Sequence, residues 1–539
     1  MKVTCVGGTG TVTGSNYLIE AKGVKILVDC GMFQGLRELE ERNYLDFPYT
    51  PQTVSHLLLT HAHIDHSGLI PKLAREGFNG TILCTEATAD LCEIMLADSA
   101  HIQNMEAEWR NRKKRRAGRE RFIETLYTQS DVKSVMKLFQ PVHYGQGVTL
   151  SPNVRARFND AGHILGSAIV ELWIKEKDAE VKLVFTGDLG STNQPIIKDP
   201  TYIDSADIVF IESTYGNRLH KSKESTYEEI KQVIIDAHSD AGNVVIPAFA
   251  VERTQEVLYI LNELYQEKQI PYMDVYLDSP LAVSATEIFL KHPEYFDEET
   301  LKKLQAGSHP LDFEGMHLIH SVEESRRLNE IEKGAIIIAA SGMAHAGRIK
   351  HHLRHNLWRE NAHIVFVGYQ ANGTTGRLIV DGAKHVKIFG EEVKVRAKIH
   401  TIGGFSAHAD RDGLLKWLQN FSPRPRVCVI VHGEPSSSIA FSEYVNEQLG
   451  LDTIVPQLGE VIDLDIAMGE FKKEGIAVTP IEFSKELDQT WLELDDIINR
   501  LGDMEDIRNY EIRESLAPGL REINKKLVEI RENLAGKEA

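Results

Sequence analysis

The stretch LLLTHAHIDHSGL, residues 57–69, joins an apolar run to three histidines and an aspartate. The run predicts a buried strand, and the polar cluster begins where this strand should end. His61 and His63 are two residues apart, so both can face one side of an extended segment. Asp65 and His66 follow past a bend. One metal ion could bind the first pair and a second ion the other, and such mixed imidazole and carboxylate donors suit zinc better than manganese or iron.

Two such pairs leave each ion short of ligands, so further donors must come from other strand ends. His163 follows the segment VRARF, Asp188 follows the apolar run in VKLVFTG, and His432 ends the run VCVIV. Glycines beside Asp188 allow another backbone to approach closely. Together these residues would supply a third histidine for each ion and one carboxylate able to bridge them.

Composition sets limits on the class of protein. The chain has 539 residues, of which 42% are hydrophobic and 26% charged. This length predicts two to four domains of about 150 residues. Its five cysteines are scattered and never form a CxxC pair, which is typical of a reducing cytoplasm. The longest apolar runs are too short for a bilayer, and we expect a cytoplasmic protein without a membrane partner.

Charge is the second limit. A net charge of −19 argues against a protein that simply coats nucleic acid. The segment RNRKKRRAGRER, residues 110–121, is a local exception with eight basic residues and one acidic residue. It is either the solvent-facing side of a helix or a patch that contacts phosphates, and the sequence leaves both interpretations open.

The order of predicted elements indicates an α/β protein. The first 60 residues contain short apolar runs bounded by glycine, which predict strands. The glycine-rich segment GGTGTVTG at 7–14 is followed by a strand pattern, so it predicts a hairpin turn rather than a dinucleotide site. From about residue 225, helices alternate with apolar strands, which predicts a parallel sheet with helical crossovers. Apolar residues at spacings of three and four predict a helix over 520–534.

Seven spaced motifs resemble those of the β-CASP ribonucleases, the branch of the metallo-β-lactamase superfamily that includes bacterial and archaeal homologues of the endonuclease subunit of the cleavage and polyadenylation specificity factor. The resemblance runs from about residue 1 to about residue 463. In chain order the motifs are VDCG with Asp29, THAHIDHSG, AGHILGSA, FTGDLG, IESTYGNR with Glu212, GGFSAHAD with His408, and VHGE with His432.

The resemblance implies a metallo-β-lactamase αββα sandwich interrupted by a β-CASP α/β domain of mainly parallel sheet. The first part of the sandwich would span 1–213 and the inserted domain 214–392. The second part would span 393–463, and a mainly helical C-terminal extension would cover 464–539.

The resemblance also implies a cofactor of two Zn²⁺ ions per chain, with Mn²⁺ as the alternative. Asp29 would order the histidine loop without binding metal, a role that metal sites commonly need. The implied ligands are His61, His63 and His163 for one ion, Asp65, His66 and His432 for the other, and Asp188 as the bridge.

The implied reaction is hydrolysis of RNA phosphodiester bonds by a hydroxide bridging the two metals, giving 5′-phosphate and 3′-hydroxyl products. His408 would be the general acid and Glu212 would orient it. Asp65 and Asp188 complete the expected catalytic set. A histidine at position 432 goes with the RNA-processing members of the family, so RNA is the expected partner and DNA is less favoured.

Two residues of the predicted insertion could bind substrate. Ser341 in ASGM and Arg377 in GTTGRL lie in glycine-flanked turns that precede helices, where anions are favoured. Ordinary turns with a surface arginine are the alternative. His351, His352 and His355 lie on a predicted helix with no nearby carboxylate in the sequence, so we expect surface or RNA-facing histidines.

Two other functions stay open. A hydrolase of small esters or thioesters would need neither the inserted domain nor the FSAHAD acid. A catalytically silent RNA-binding scaffold would be expected to lose metal ligands, and every ligand position is filled here. The sequence also leaves open a homodimer, the physiological RNA, and the choice between endonuclease and 5′-exonuclease activity.

Overall fold

The structure is a computed structural model that describes residues 1–116, 124–176, 179–221, 223–368, 370, 373–465 and 470–474. The predicted helical tail lies outside these residues. The strands are β1 (Lys2–Gly7), β2 (Asn16–Ala21), β3 (Val24–Val28), β4 (His56–Leu58), β5 (Thr81–Cys84), β6 (Phe139–Pro141), β7 (Gly147–Ser151), β8 (Val154–Asp160), β9 (Ala168–Glu176), β10 (Ala179–Phe185), β11 (Ile208–Glu212), β12 (Val244–Pro247), β13 (Asp274–Leu277), β14 (Met316–Leu318), β15 (Ala335–Ala339), β16 (His363–Phe366), β17 (His385–Ile388), β18 (Glu391–Lys394), β19 (Lys398–Thr401), β20 (Val427–Val431), β21 (Thr453–Ile454), β22 (Val461–Asp465) and β23 (Glu470–Glu474).

The α-helices come mostly between these strands. They are α1 (Arg37–Arg42), α2 (Ile64–Ser67), α3 (Ile70–Arg75), α4 (Glu86–Arg116), α5 (Gln129–Val135), α6 (Lys223–Ser239), α7 (Arg253–Gln266), α8 (Pro280–Lys291), α9 (Glu298–Gln305), α10 (Val322–Leu328), α11 (Ile349–Asn356), α12 (Thr375–Val380), α13 (Arg411–Gln419) and α14 (Pro435–Leu449). In the described part of the chain, no helix is long and apolar enough to cross a bilayer.

Two large sheets face each other. The first has eight strands in the order β23-β22-β1-β2-β3-β4-β5-β6, and the second has seven in the order β21-β20-β11-β10-β9-β8-β7. Apolar side chains from both sheets form a common core, in which Phe185 stacks on Phe210 with ring centroids 4.4 Å apart. Helices α13 and α14 pack on the outside of the second sheet, and α3, α4 and α5 pack outside the first. This is the predicted αββα sandwich.

The third sheet is all parallel, with the order β14-β13-β15-β12-β16-β19. Each of its central strands is an apolar run, and helices connect them, as the alternating pattern after residue 225 predicts. Strand β19 lies beyond residue 392, and the domain bounds stay predictions. The glycine-rich turn at 7–14 joins β1 to an antiparallel β2, as predicted.

Most of the predicted donor residues follow strands at one edge of the sandwich. Strands β3, β4 and β5 are mutually parallel, and so are β10, β11 and β20. Asp29 follows β3 directly, and His61 comes three residues after β4. Asp188 comes three residues after β10, and His432 follows β20 directly. Because parallel strands end at the same edge, side chains separated by hundreds of residues meet there.

Candidate metal centre

Three imidazoles and one carboxylate converge at the first group of donors. His61 Nε2 lies 3.1 Å from His63 Nδ1, and His163 Nε2 lies 3.3 Å from the same His63 atom. Asp188 Oδ2 is 3.5 Å from both His61 Nε2 and His163 Nε2. His61, His163 and Asp188 are buried, so water contributes little to this arrangement.

The second group lies beside the first and shares Asp188. His66 Nε2 is 3.1 Å from His432 Nε2, and Asp65 Oδ2 is 3.6 Å from the same His432 atom. Asp188 Oδ1 lies 3.2 Å from His66 Nε2. The two oxygens of Asp188 therefore face different groups, which is the geometry that a bridging carboxylate requires.

Asp29 orients the ring of His66. Its carboxylate accepts hydrogen bonds from the Thr60 backbone amide at 2.8 Å and the Thr60 hydroxyl at 3.0 Å. His66 Nδ1 lies 2.6 Å from Asp29 Oδ2. A proton held on Nδ1 by this carboxylate leaves the lone pair of Nε2 directed into the second group.

The buried environment keeps the first group of imidazoles neutral. Burial lowers the pKa of His61 and His163 well below its usual value, and it lowers the pKa of His63 as well. The pKa of Asp188 stays well below its usual value despite burial, because His432 and His66 lie beside it. The pKa of His66 is instead raised well above its usual value, because Asp188 and Asp29 outweigh the effect of burial. Metal binding needs neutral imidazoles and an ionised carboxylate, so a metal in the second group would displace the proton from His66 Nε2.

The donor set fits a divalent metal on geometric grounds. Two ligands of a tetrahedral zinc ion with bonds of about 2.1 Å lie about 3.4 Å apart. The contacts between donor atoms in both groups range from 3.1 to 4.0 Å, around this spacing. Asp188 Oδ1 is buried, and His66 Nε2 and His432 Nδ1 each lie 3.2 Å away without a well-aligned hydrogen bond to it. A cation held among these atoms would satisfy the carboxylate oxygen.

His408 and Glu212 form a pair at the rim of the centre. His408 Nδ1 lies 3.1 Å and 3.2 Å from the two Glu212 oxygens, and 4.0 Å from Asp188 Oδ2. Glu212 is fully buried and accepts a 2.6 Å hydrogen bond from the Leu189 amide. Although burial opposes a charged imidazolium, Glu212 and Asp188 raise the pKa of His408 to about 10. Because Nδ1 faces Glu212, Nε2 points away from this carboxylate.

The two predicted substrate contacts, Ser341 and Arg377, both hydrogen bond within the protein. The Ser341 hydroxyl is used in its own turn, where it donates to the Ala346 carbonyl at 3.2 Å. Arg377 is on the first turn of α12, and its Nε donates to Asp381 at 2.9 Å. Both assignments stay predictions. The basic run begins on α4 and ends outside the described residues, so its two interpretations also stay open.

The expectation for His352 is wrong. This residue is fully buried, and its Nε2 lies 2.6 Å from Asp278 Oδ2. Asp278 also accepts hydrogen bonds from Arg348 at 2.7 Å and from Ser325 at 2.6 Å. The carboxylate comes from the end of β13, and its distance along the chain hid it from local sequence reasoning.

Sequence reasoning also missed two residues that support the centre. The Thr60 hydroxyl lies 3.1 Å from His61 Nδ1, and it also donates a hydrogen bond to Asp29. His220 Nε2 lies 3.0 Å from the backbone carbonyl oxygen of His408. Thr60 could have been found by its place beside His61, whereas His220 follows no apolar strand and carries no recognisable spacing.

Three family descriptions match the chain along most of its described length. Residues 9–153 match the metallo-beta-lactamase superfamily, residues 254–379 the Beta-Casp domain, and residues 392–456 the Zn-dependent metallo-hydrolase RNA specificity domain. The fold and the donor set thus define a metal-dependent hydrolase of the metallo-β-lactamase superfamily.

Relatives that align over most of this chain narrow the superfamily to one of its families. Ribonuclease TTHA0252 from Thermus thermophilus is 38% identical over 82% of this chain and 95% of its own length. Transcription termination factor FttA is 30% identical in Methanocaldococcus jannaschii, over 85% of this chain and 70% of that protein. The Pyrococcus abyssi FttA is 31% identical, over 86% and 71%. The chain therefore belongs to the β-CASP family within this superfamily.

Proposed function

We propose that this protein is a ribonuclease that uses two Zn²⁺ ions to hydrolyse RNA phosphodiester bonds during RNA processing or decay. The observation that carries the proposal is the shared carboxylate of Asp188, whose oxygens face two separate groups of donors beside the His408–Glu212 pair. The ribonuclease name of the Thermus thermophilus relative and the RNA specificity domain support RNA as the substrate.

The proposed ligands are those that the sequence implies. In the proposed centre, Asp29 sets the tautomer of His66. The carboxylate of Asp188 lies between the two donor groups. Bound Zn²⁺ ions would supply an acidified water as the nucleophile and would neutralise charge on the phosphate. His61, His63 and His163 would hold the first ion, Asp65, His66 and His432 would hold the second, and Asp188 would contribute one oxygen to each.

His408 is the proposed source of the proton that the leaving group needs. When the water oxygen bonds to phosphorus, the bond from phosphorus to the 3′-oxygen breaks, and the leaving oxygen needs a proton. His408 Nε2 is the proposed donor, and its raised pKa keeps it protonated at neutral pH. Glu212 holds Nδ1 and stabilises the imidazolium. The products would be a 5′-phosphate and a 3′-hydroxyl.

End-labelled single-stranded RNA and the zinc-loaded protein test the proposal. His408→Ala should lower kcat by about 10²–10⁴-fold, the usual contribution of a general acid, while zinc content stays the same. His238→Ala is the matched control, because this exposed histidine lies in the last turn of α6, before the amino end of β12. It should cleave like the wild type.

A modified substrate separates acid catalysis from other roles of His408. Replacing the 3′-bridging oxygen with sulfur provides a thiolate leaving group that needs no protonation, since thiol pKa values lie near 8.5. His408→Ala should then approach wild-type rates. Hydrolysis of small esters with RNA left intact would favour the alternative hydrolase, and RNA binding without any cleavage would favour the silent scaffold.

A further inference from the structure

The loop that carries His408 leaves the parallel sheet at its carboxyl edge. Strand β19 ends at Thr401, and the chain reaches His408 seven residues later. The loop at His408 then pairs with the Asp188 loop, where Ala409 N donates to the Leu189 carbonyl at 2.7 Å. Strand β12 lies two places from β19 in the sheet, or about 10 Å away at the usual strand spacing. Residues after β12 therefore lie at the same edge of the sheet as the start of the loop that leads to His408.

Phe249 follows β12 at this edge, and its side chain is 42% exposed. In the described part of the chain, it is the one strongly exposed phenylalanine, tyrosine or tryptophan in the loops that follow these six strands. A single exposed phenylalanine is common at protein surfaces, so it is the position of Phe249 that indicates a substrate contact, at the same edge of the sheet as the loop that leads to His408.

Two glycines form the surface on which the Phe249 ring lies. A Cβ atom on Gly342 would come within 2.9 Å of Cδ2 and 3.0 Å of Cε2 of this ring. A Cβ on Gly368 would be 3.7 Å from Cε2. Because both positions lack a side chain, the ring rests against backbone, and its remaining surface is open to solvent. The Phe249 carbonyl accepts hydrogen bonds from the Thr254 hydroxyl at 2.7 Å and the Thr254 amide at 3.2 Å, which fix the loop.

The same loop is attached to the proposed metal and proton-transfer loops. The backbone of Leu165, two residues after His163, lies against the buried Glu252 carboxyl. The Arg253 guanidinium lies 5.5 Å from the ring centroid of Phe405, in the loop that leads to His408. These contacts place the Phe249 loop in a fixed relation to both sides of the centre.

We propose that Phe249 is a stacking platform for one nucleobase of single-stranded RNA next to the scissile phosphate. This inference rests on the proposed ribonuclease function and adds a base-binding position to it. Every base has an aromatic face, so such a platform binds RNA without selecting its sequence. Loss of one stacked base at an aromatic side chain typically weakens binding about 5- to 150-fold.

The test compares protein variants with RNA that lacks single bases. RNA affinity is measured by fluorescence anisotropy in the zinc-loaded His408→Ala protein, which serves as the parent protein because it should bind RNA with little cleavage. Cleavage rates are measured with the same substitutions in proteins that keep His408. Phe249→Ala should weaken binding and raise KM about 5- to 150-fold with unchanged zinc content, and Phe249→Tyr should keep wild-type values. Trp358→Ala is the matched control: this residue is 52% exposed and lies between α11 and β16, at the amino edge of the sheet. It should have no effect.

Abasic RNA identifies the stacked base. At one position beside the scissile phosphate, removal of the base should weaken binding to the parent protein as much as Phe249→Ala does. It should cause no further loss in Phe249→Ala itself. Equal losses in both proteins at every position would overturn the proposal, as would an unchanged KM in Phe249→Ala or an equal effect of Trp358→Ala.

Three further outcomes separate the possible failures. If the wild type cleaves RNA but the effects of base removal and of Phe249→Ala on affinity are independent, the platform is wrong and the ribonuclease proposal stands. If the wild type leaves RNA intact but base removal has no further effect in Phe249→Ala, the ribonuclease proposal is wrong and the platform stands. A change in sedimentation coefficient in Phe249→Ala, with unchanged RNA affinity, would assign the ring to a contact between copies of this chain and overturn the platform.

Discussion

Replacing Asp29 with asparagine is the most direct test of how the second donor group is built. Asp29 Oδ1 accepts the Thr60 amide proton at 2.8 Å, and Oδ2 lies 2.6 Å from His66 Nδ1. An asparagine that keeps the first hydrogen bond must place its amide nitrogen at the position of Oδ2. This nitrogen donates to His66 Nδ1, so the ring proton moves to Nε2.

In the altered tautomer, His66 loses the lone pair on Nε2 that would bind the metal ion. Nε2 is the atom of His66 that faces His432 and Asp188, at 3.1 Å and 3.2 Å. With a proton on Nε2, no lone pair is left for a metal ion there. Loss of such an orienting partner typically costs 10- to 100-fold in metal affinity, or about 1.4–2.8 kcal/mol. We expect Asp29→Asn to weaken the second zinc site by about this amount and to leave the first site tight.

Competition with a chromophoric chelator measures both zinc affinities in the full chain. Asp278→Asn is the matched control, because Asp278 Oδ2 lies 2.6 Å from His352 Nε2 and both side chains are fully buried. It changes the same kind of pair inside the parallel-sheet region and should leave zinc binding unaltered. Zinc affinities in Asp29→Asn within twofold of the wild type, or an equal loss in Asp278→Asn, would refute the reasoning.

Two other predictions concern metal and pH. Removal of metal with EDTA should abolish RNA cleavage and lower Tm, and Zn²⁺ should restore both, because an ion that binds only the folded protein stabilises it. Calorimetry beside a cleavage assay checks this, and an unchanged Tm would contradict it. Burial raises the pKa of Asp160 to about 7, so the folded protein holds a proton that the unfolded chain releases near pH 4. The stability this proton provides is present below pH 4 and is lost as pH rises to 7, at a cost of up to about 4 kcal/mol. Asp160→Asn should therefore raise Tm at pH 8 and not at pH 4, and an equal Tm difference at both values would argue against it.

Local pattern was enough for much of the fold. Strands β1, β2 and β3 and the alternation after residue 225 follow from apolar runs and glycine breaks, which act over a few residues. The cluster from His61 to His66 indicated metal because four donor-type residues in six positions have few other uses. His163, Asp188 and His432 could be proposed because each follows an apolar run, and the family resemblance then grouped them.

Tertiary structure decided which of these residues meet. We expect His352 at the surface from its sequence, yet this helical residue pairs with Asp278 at the end of β13, 74 positions away. His220 and the Phe249 platform depend on which loops lie side by side at the carboxyl edge of a sheet, and strand order settles this. A sequence records each residue's tendency to form a strand or bind a metal. Contacts between distant residues depend on strand pairing, so only the assembled sheets determine that Asp188 faces two donor groups and that Phe249 stays exposed.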